Sequence, residues 1–295
     1  MGLRRDTNAA RLLIERAYED ISSGDCASAV KHATEALNYD PNHVDAYICR
    51  SNAFALMGED ARAMDDCTEA ISIDPKCANA YHNRACALRE KGNAKQSLLD
   101  YNRAIELDST NPKTFAQRAS VYLMLHKYEL CIEDANTALK LDPELLAVLY
   151  YRACAYANLK QFDHAVGDFN LLIADGAFML SHFQRAICFI EMEMYKEALD
   201  DAQSIEDLFG RTTGLSEYCR ACAYHAAGDL DKALAAFSEA CNDLPKFKQA
   251  FEKRAAVYEQ IGKLDLAKRD LETASKLEPG SQFNVTFENS RTVLL

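Results

Sequence analysis

Five of the six prolines recur along the chain at intervals that are multiples of 34 residues. The successive intervals are 34, 68, 102 and 34 residues, from Pro41 through Pro75, Pro143 and Pro245 to Pro279. A chain of 295 residues is long enough for eight such periods. Because a fixed period of this size is typical of repeat architectures, the sequence predicts one repeat array and not a pair of ordinary globular domains.

The period divides residues 10–281 into eight repeats, with a lead-in of residues 1–9 and a tail of residues 282–295. Counted from the first residue of a repeat, positions 8 and 20 always hold a small side chain, and position 15 is Gly in five repeats. Small residues let two helix axes approach closely, and Gly permits a tight turn between them. Each repeat is therefore predicted to be a helical hairpin. The repeats begin at Ala10, Val44, Ala78, Pro112, Leu146, Met179, Gly214 and Lys248.

This pattern resembles the tetratricopeptide repeat, which has a bulky residue at position 4, small residues at positions 8 and 20, an aromatic residue at position 24, Ala at position 27 and Pro at position 32. The chain departs from it by having no Trp at position 4. The resemblance implies an all-α, right-handed superhelical solenoid of eight helix-turn-helix units, whose first helices line a concave groove for a segment of another protein. It also implies a non-catalytic scaffold or adaptor. Position 4 is filled mainly by Leu13, Tyr47, Tyr81, Phe115, Leu149 and Phe251.

A second periodic feature lies at positions 7 and 23. Position 23 is Asp in six repeats, and only His32 and Ala236 interrupt the series. A surface that recognises a partner varies between repeats, whereas these residues do not vary. We therefore predict a ladder of partly buried Arg–Asp pairs that fixes helix packing, with a row of ligand-binding guanidinium groups as the alternative. Position 7 is always arginine: Arg16, Arg50, Arg84, Arg118, Arg152, Arg185, Arg220 and Arg254.

Catalytic motifs are absent from the sequence. It contains no phosphate-binding loop, no zinc-protease or serine-hydrolase motif and no calcium loop. Cys219, Cys222 and His225 fall at steps of three on a predicted helix, a spacing that metal or redox chemistry could use. The same Arg-Ala-Cys-Ala-Tyr string recurs at residues 152–156, however, so repeat duplication explains it. We predict no enzyme, no cofactor and no metal site.

Charge and cysteine content limit the partners and the compartment. The formal net charge of −12 leaves no positive excess for phosphate groups, so nucleic acid is not expected as a partner. No apolar run reaches the length of a membrane span. Eleven cysteines, an odd number spread along the chain, do not suggest a secreted disulfide framework. A cytoplasmic protein is therefore expected, with the nucleus left open.

The predicted groove face is apolar in repeats five to seven. Its aromatic and aliphatic groups could exclude water from the apolar side chains of a bound protein segment, which predicts the principal partner site there. Two of the aromatic residues, Phe183 and Tyr218, lie one position beyond the usual bulky position, and the alternative is that they rotate into the core. The predicted site comprises Tyr150, Tyr151, Phe183, Ile187 and Tyr218.

The groove face is polar in repeats two to four, and there it partly resembles the carboxylate clamp of co-chaperones that bind the acidic C-terminal tails of heat-shock chaperones. Asn52, Asn83 and Lys113 match clamp positions, whereas Ile48 and Gln117 replace two of its three cations. Charge-assisted bonds supply most of the affinity of such a site. A co-chaperone is therefore the alternative function that the resemblance implies.

The tail carries no repeat pattern. Phe283, Val285 and Phe287 alternate with polar residues, which predicts an extended segment and not a capping helix. Either this segment covers the end of the array, or a partner or further sequence does so.

Overall fold

The described part of the computed structural model comprises residues 7–176 and 179–277, and its regular structure consists of sixteen α-helices and no strand. The predicted all-α fold class is confirmed. The tail prediction lies outside these residues, as do residues 1–6 of the lead-in, while residues 7–9 belong to the first helix. The helices are α1 (Thr7–Ser23), α2 (Cys26–Tyr39), α3 (Val44–Leu56), α4 (Asp60–Ile73), α5 (Ala78–Glu90), α6 (Ala94–Leu107), α7 (Pro112–Met124), α8 (Tyr128–Leu141), α9 (Val148–Asn158), α10 (Phe162–Gly176), α11 (Met179–Glu191), α12 (Tyr195–Phe209), α13 (Gly214–Ala226), α14 (Leu230–Asp243), α15 (Lys248–Gln260) and α16 (Leu264–Ser275).

Each odd-numbered helix packs against the even-numbered helix that follows it, so the chain forms helical hairpins. Six of the eight first helices begin at the residue where a repeat was predicted to begin; α1 begins three residues earlier and α9 two residues later. The contacts separate the chain between Leu145 and Leu146 into an N-terminal half (α1–α8) and a C-terminal half (α9–α16). The assignment of domains to residues 1–9, 10–281 and 282–295 stays a prediction.

Small side chains form the contact between the helices of a hairpin. In the first hairpin, Ala17 at position 8 and Ala29 at position 20 have no exposed surface and pack in one cluster. Because Ala has no side chain beyond Cβ, the two helices can approach closely and exclude water along their whole contact. Larger groups complete the core in both halves, such as Tyr101 in the N-terminal half and Phe183, Tyr218 and Phe237 in the C-terminal half.

The turn inside each hairpin uses a left-handed backbone conformation at position 15. Five repeats place Gly there with φ between 75° and 84°. Repeats four, five and six place His126, Lys160 and Glu193 at the same position with φ of 56° to 60°. Side chains with a Cβ rarely adopt this conformation, because it brings Cβ close to the backbone. The turn geometry is therefore common to all eight repeats although the glycine is not.

The Arg–Asp ladder is confirmed at six repeats. In each of them the guanidinium group donates two hydrogen bonds to one carboxylate, as Arg118 does to Asp134 through Nε and Nη2, both at 2.7 Å. The six aspartates are at least nine-tenths buried. Paired geometry of this kind satisfies both charged groups at once. The pairs are Arg50–Asp66, Arg84–Asp100, Arg118–Asp134, Arg152–Asp168, Arg185–Asp201 and Arg254–Asp270.

A third polar residue joins the pairs, and the sequence analysis missed it. Nη1 of Arg118 donates to the side-chain oxygen of Asn102 on the second helix of the preceding hairpin, at 2.7 Å. The same bond links Arg50 to Thr34 at 3.1 Å. Each of these acceptors stands at position 25 of its repeat. One guanidinium group thus connects three helices and two successive repeats.

Repeats six and seven modify the ladder. His182 replaces the bulky residue at position 4, and its Nδ1 lies 2.8 Å from Oδ1 of Asp201, beside the arginine of that repeat. In repeat seven position 23 is Ala236, and Arg220 instead bonds Glu206 at 2.5 Å and Glu217 at 2.8 Å. Arg220 therefore keeps carboxylate partners although its repeat lacks the aspartate.

We predict that Arg118→Leu lowers the free energy of unfolding by about 1–3 kcal/mol, because it leaves the Asp134 carboxylate buried without its partner. Adding Asp134→Leu should recover part of this loss. Urea denaturation of the two single variants and the double variant measures the coupling. Additive effects would show that the pair is energetically uncoupled.

The same loss should depend on pH. Burial raises the pKa of the Asp134 carboxyl, and Arg118 opposes that increase, so removing Arg118 raises this pKa further. A carboxyl whose pKa is higher in the folded state than in the unfolded state stabilises the folded state at low pH. This contribution is lost as the pH rises through the folded-state pKa. The loss of unfolding free energy caused by Arg118→Leu should therefore be smaller at about pH 5 than at about pH 7.5. Urea titrations at both pH values would detect this difference. An equal cost at both values would contradict this account.

Candidate partner-binding surfaces

The first helices of successive hairpins contact one another within each half. In the N-terminal half α1 contacts α3, α3 contacts α5, and α5 contacts α7; in the C-terminal half the series runs from α9 to α15. Side chains at positions 5, 6, 9 and 12 of neighbouring first helices therefore form two candidate surfaces: a polar surface on α3, α5 and α7, and an apolar surface on α9, α11 and α13.

The polar surface brings two of the three predicted clamp residues together. Nδ2 of Asn83 donates to Oδ1 of Asn52 at 2.6 Å and lies 3.2 Å from Oγ of Ser51. Both asparagines are partly exposed. Lys113 is exposed near the start of α7, the next first helix. The clamp residues on α3 and α5 are amides, whereas the one on α7 is a cation. The arrangement can offer amide hydrogen bonds and one positive charge.

The two residues that replace clamp cations have other roles. Ile48 is buried and packs against Ala70 and Ala80. Gln117 is buried as well, and its Oε1 accepts a short hydrogen bond from Arg89. Arg89 also donates to Oγ of Ser120 at 2.9 Å and pairs with Glu90 at 2.6 Å. Its charge is largely neutralised inside this network. Among the clamp positions, Lys113 is the one that holds a cationic residue.

Three of the five residues predicted for the apolar site are core residues. Tyr151, Phe183 and Tyr218 have 5%, 5% and 6% of their surface exposed. The Tyr218 ring packs against Phe183 and Phe247, with centroids 6.0 Å and 4.8 Å away. Burial raises the pKa of its phenol well above the usual value. These side chains can support a binding surface from below, but they present little area to a partner.

The local reason for this burial is an exchange between positions 4 and 5. In repeats six and seven the polar residues His182 and Glu217 occupy position 4 and join the ladder, so the hairpin core lacks its usual bulky group. The aromatic residues at position 5, Phe183 and Tyr218, fill that space. The structure thus favours the alternative in which both residues are part of the core.

Tyr150 and Ile187 are the predicted site residues that remain partly exposed. The Tyr150 ring packs against Phe169, with centroids 6.1 Å apart. Burial raises the pKa of its phenol well above the usual value, and the nearby Gln184 on α11 acts in the opposite direction. Ile187 lies one turn after Gln184 and packs on the edge of the core. An amide side chain therefore sits beside partly exposed apolar groups, a combination suited to a protein segment.

The described residues contain no group of three or more His, Cys, Asp and Glu side chains placed to hold a metal ion. Cys219 and Cys222 are buried, and burial raises the pKa of the Cys222 thiol to about 11. A buried thiol with this pKa is neutral near pH 7 and a poor ligand or nucleophile. The cysteine pair is therefore explained by packing.

We predict that Tyr218→Ala lowers the free energy of unfolding by about 3–5 kcal/mol, since it leaves a cavity among Phe183, Phe237 and Phe247. Ile187→Ala, at the edge of the core, should cost clearly less. Thermal and urea denaturation of the two variants measures the difference. Equal losses would mean that the two side chains are equally important for packing.

Comparisons with known proteins agree with this architecture. The family model of the tetratricopeptide repeat matches residues 78–111, which is the third repeat. No curated protein has a sequence that matches this chain significantly. Within residues 7–176 and 179–277, no helix has the length and apolar character needed to cross a membrane.

Solved structures resemble the chain at low sequence identity. A tetratricopeptide repeat protein from Parabacteroides merdae is 20% identical, with a TM-score of 0.58 over 88% of this chain and 99% of that one. The pilF protein of Pseudomonas aeruginosa is 18% identical, with a TM-score of 0.62 over 69% and 93%. YrrB, a TPR protein with an unusual peptide-binding site, is 18% identical, with a TM-score of 0.53 over 66% and 97%. At these identities the likeness shows the fold.

The hairpins, their common turn and these likenesses define an all-α superhelical solenoid. Residues 78–111 match the family model of the tetratricopeptide repeat, and the fold of the chain is that of solved tetratricopeptide-repeat structures.

Proposed function

We propose that this protein is a non-catalytic adaptor that holds a segment of a partner protein on the apolar surface of its C-terminal half. Tyr150 and Ile187 contact the partner, and Tyr151, Phe183 and Tyr218 support them from the core. The observation that carries this proposal is that α9 and α11 contact each other and bring three partly exposed side chains to one surface: Tyr150, Gln184 and Ile187.

The chemistry of this surface suits an extended or helical segment with apolar side chains. Tyr150 and Ile187 can exclude water from such side chains, while the Gln184 amide has both a donor and an acceptor for the partner backbone. The buried aromatic residues limit the movement of α11 and α13, so little entropy is lost when the partner binds. YrrB, which has the same fold, has a peptide-binding site.

We also propose that the protein works in the cytoplasm. All eleven cysteines are free thiols, and eight of them are buried within helix contacts. This usage is typical of a reducing compartment, where thiols pack as small apolar groups.

Ile187→Glu should abolish recovery of the partner, because a carboxylate would have to be buried against the partner's apolar side chains. The control is Leu99→Glu, which makes the same chemical change at a leucine that is 61% exposed on the second helix α6. Binding would be followed by pull-down from native extract with the full chain, and folding by circular dichroism.

Gln184→Ala is a second variant for the same surface, since it removes the amide without adding a charge. Loss of the same partners from both α11 variants, with retention by Leu99→Glu, supports the proposal. If both α11 variants fold and recover every partner, the site lies elsewhere.

A second candidate function rests on the Asn52–Asn83 hydrogen bond. This bond places two amides from successive first helices side by side, beside a helix that presents Lys113. Such a surface could bind a terminal carboxylate and an acidic side chain, as in a co-chaperone that binds the C-terminal tail of a heat-shock chaperone.

For this second candidate, a peptide that ends in acidic residues and a free carboxylate should bind with a Kd in the micromolar range at low salt. Lys113→Ala should weaken binding, whereas Lys95→Ala, on the outer helix α6, should not. Isothermal titration calorimetry with the free and the C-terminally amidated peptide provides the test. Equal affinities for the two peptides would exclude a clamp.

A further inference from the structure

Cys86 differs from the other ten cysteines in its surroundings. It stands at position 9 of repeat three, and Nε2 of His82, one turn earlier on α5, lies 3.6 Å from its sulfur. Nδ1 of the same imidazole lies 3.0 Å from Oγ1 of Thr114 on α7. On the other side, the Tyr101 hydroxyl donates to the sulfur at 3.2 Å. A thiol, a base and a group that orients the base are thus in contact.

These neighbours favour the thiolate. Burial raises the pKa of the Cys86 thiol, but His82, Arg89 and the Tyr101 hydroxyl outweigh burial and lower it to about 7. The titratable or charged groups that face the sulfur are His82 and Arg89 from α5, Tyr101 from α6 and Cys67 from α4. Cys67 is neutral near pH 7, since burial raises the pKa of its thiol to about 12.

The repeats contain a matched comparison. In repeat seven positions 5 and 9 hold Tyr218 and Cys222, so a phenol replaces the imidazole beside an equivalent thiol. The pKa of Cys222 is raised to about 11, mainly by burial. Cys86 is also partly exposed, a property that it shares with Cys26 and Cys77 alone.

We propose that Cys86, His82 and Thr114 form a thiol-modification site that reacts with small disulfides. His82 Nε2 accepts the thiol proton, while Nδ1–H donates to Thr114. The Cys86 thiolate then attacks one sulfur of the disulfide and forms a new S–S bond, as the original S–S bond breaks. The leaving thiolate takes the electron pair and is protonated by the imidazolium or by water, so one thiol and one disulfide give another thiol and another disulfide.

The test uses the full chain and a limiting amount of glutathione disulfide at about pH 7, followed by an acid quench and peptide mass spectrometry of all eleven cysteines. Cys86 should carry the mixed disulfide before Cys26 and Cys77 do. It should also react at least about 100-fold faster than Cys222. Its thiolate fraction exceeds that of Cys222 by about four orders of magnitude, although its thiolate is the weaker nucleophile. Equal rates at Cys86 and Cys77 would overturn the proposal.

The base is tested separately with His82→Tyr, which gives repeat three the pair found in repeat seven, and with His82→Gln, which keeps a polar side chain. Both variants should react at Cys86 at least about tenfold more slowly at pH 7, and the rate should regain its wild-type value only at a pH well above 8. A rate at Cys86 that is unchanged in a folded variant, with an unchanged pH profile, overturns the role of His82. The folded state is checked by protection of Cys67 and Cys131, which are buried.

Discussion

The packing of successive hairpins depends on the contacts of the arginine guanidinium group at position 7. In repeat four the Arg118 guanidinium group donates two hydrogen bonds to Asp134 on the second helix of the same hairpin and one to Asn102 on the preceding hairpin. The guanidinium group also lies against the aromatic residue at position 4, as Arg84 does over Tyr81 at 5.6 Å. A small or branched side chain at position 7 could not make these contacts simultaneously. The register between successive hairpins is therefore set by directional bonds as well as by apolar packing.

Because the arginine fixes the packing, the residues that hold the hairpins together differ from those that could contact a partner. Positions 4, 7, 8, 20, 23 and 25 serve packing, so positions 5, 6, 9 and 12 of the first helices can vary. In the N-terminal half many of these variable side chains already bond one another, as Asn83 does with Asn52. A partner there must exchange existing hydrogen bonds for new ones, which yields little net free energy. A partner on the apolar surface of the C-terminal half would instead gain free energy by releasing water.

The period of 34 residues was sufficient to predict the hairpins, the positions of most helix starts and the Arg–Asp pairs, because all of these recur at fixed positions. The third partner at position 25 escaped prediction because Thr34, Asn102 and Gln203 have little in common except a side-chain oxygen. The burial of Phe183 and Tyr218 depends on the polar residues His182 and Glu217 at position 4. The repeat pattern alone does not predict how these two residues change the packing. Which surface residues contact a partner depends on variable positions, and a single sequence contains no repeated signal for them.

The turn at position 15 has a consequence for how stability is distributed along the chain. His126, Lys160 and Glu193 adopt a left-handed conformation that costs a residue with a Cβ roughly 1 kcal/mol more than it costs glycine. These residues occur in three consecutive repeats, so the middle of the array starts from lower intrinsic hairpin stability than repeats one to three. In a repeat fold each hairpin is stabilised by the hairpins that it contacts. Repeat four therefore owes a larger share of its folded population to repeat three, and repeats five and six owe theirs to each other and to repeat seven. Local opening is easiest where glycine has been replaced.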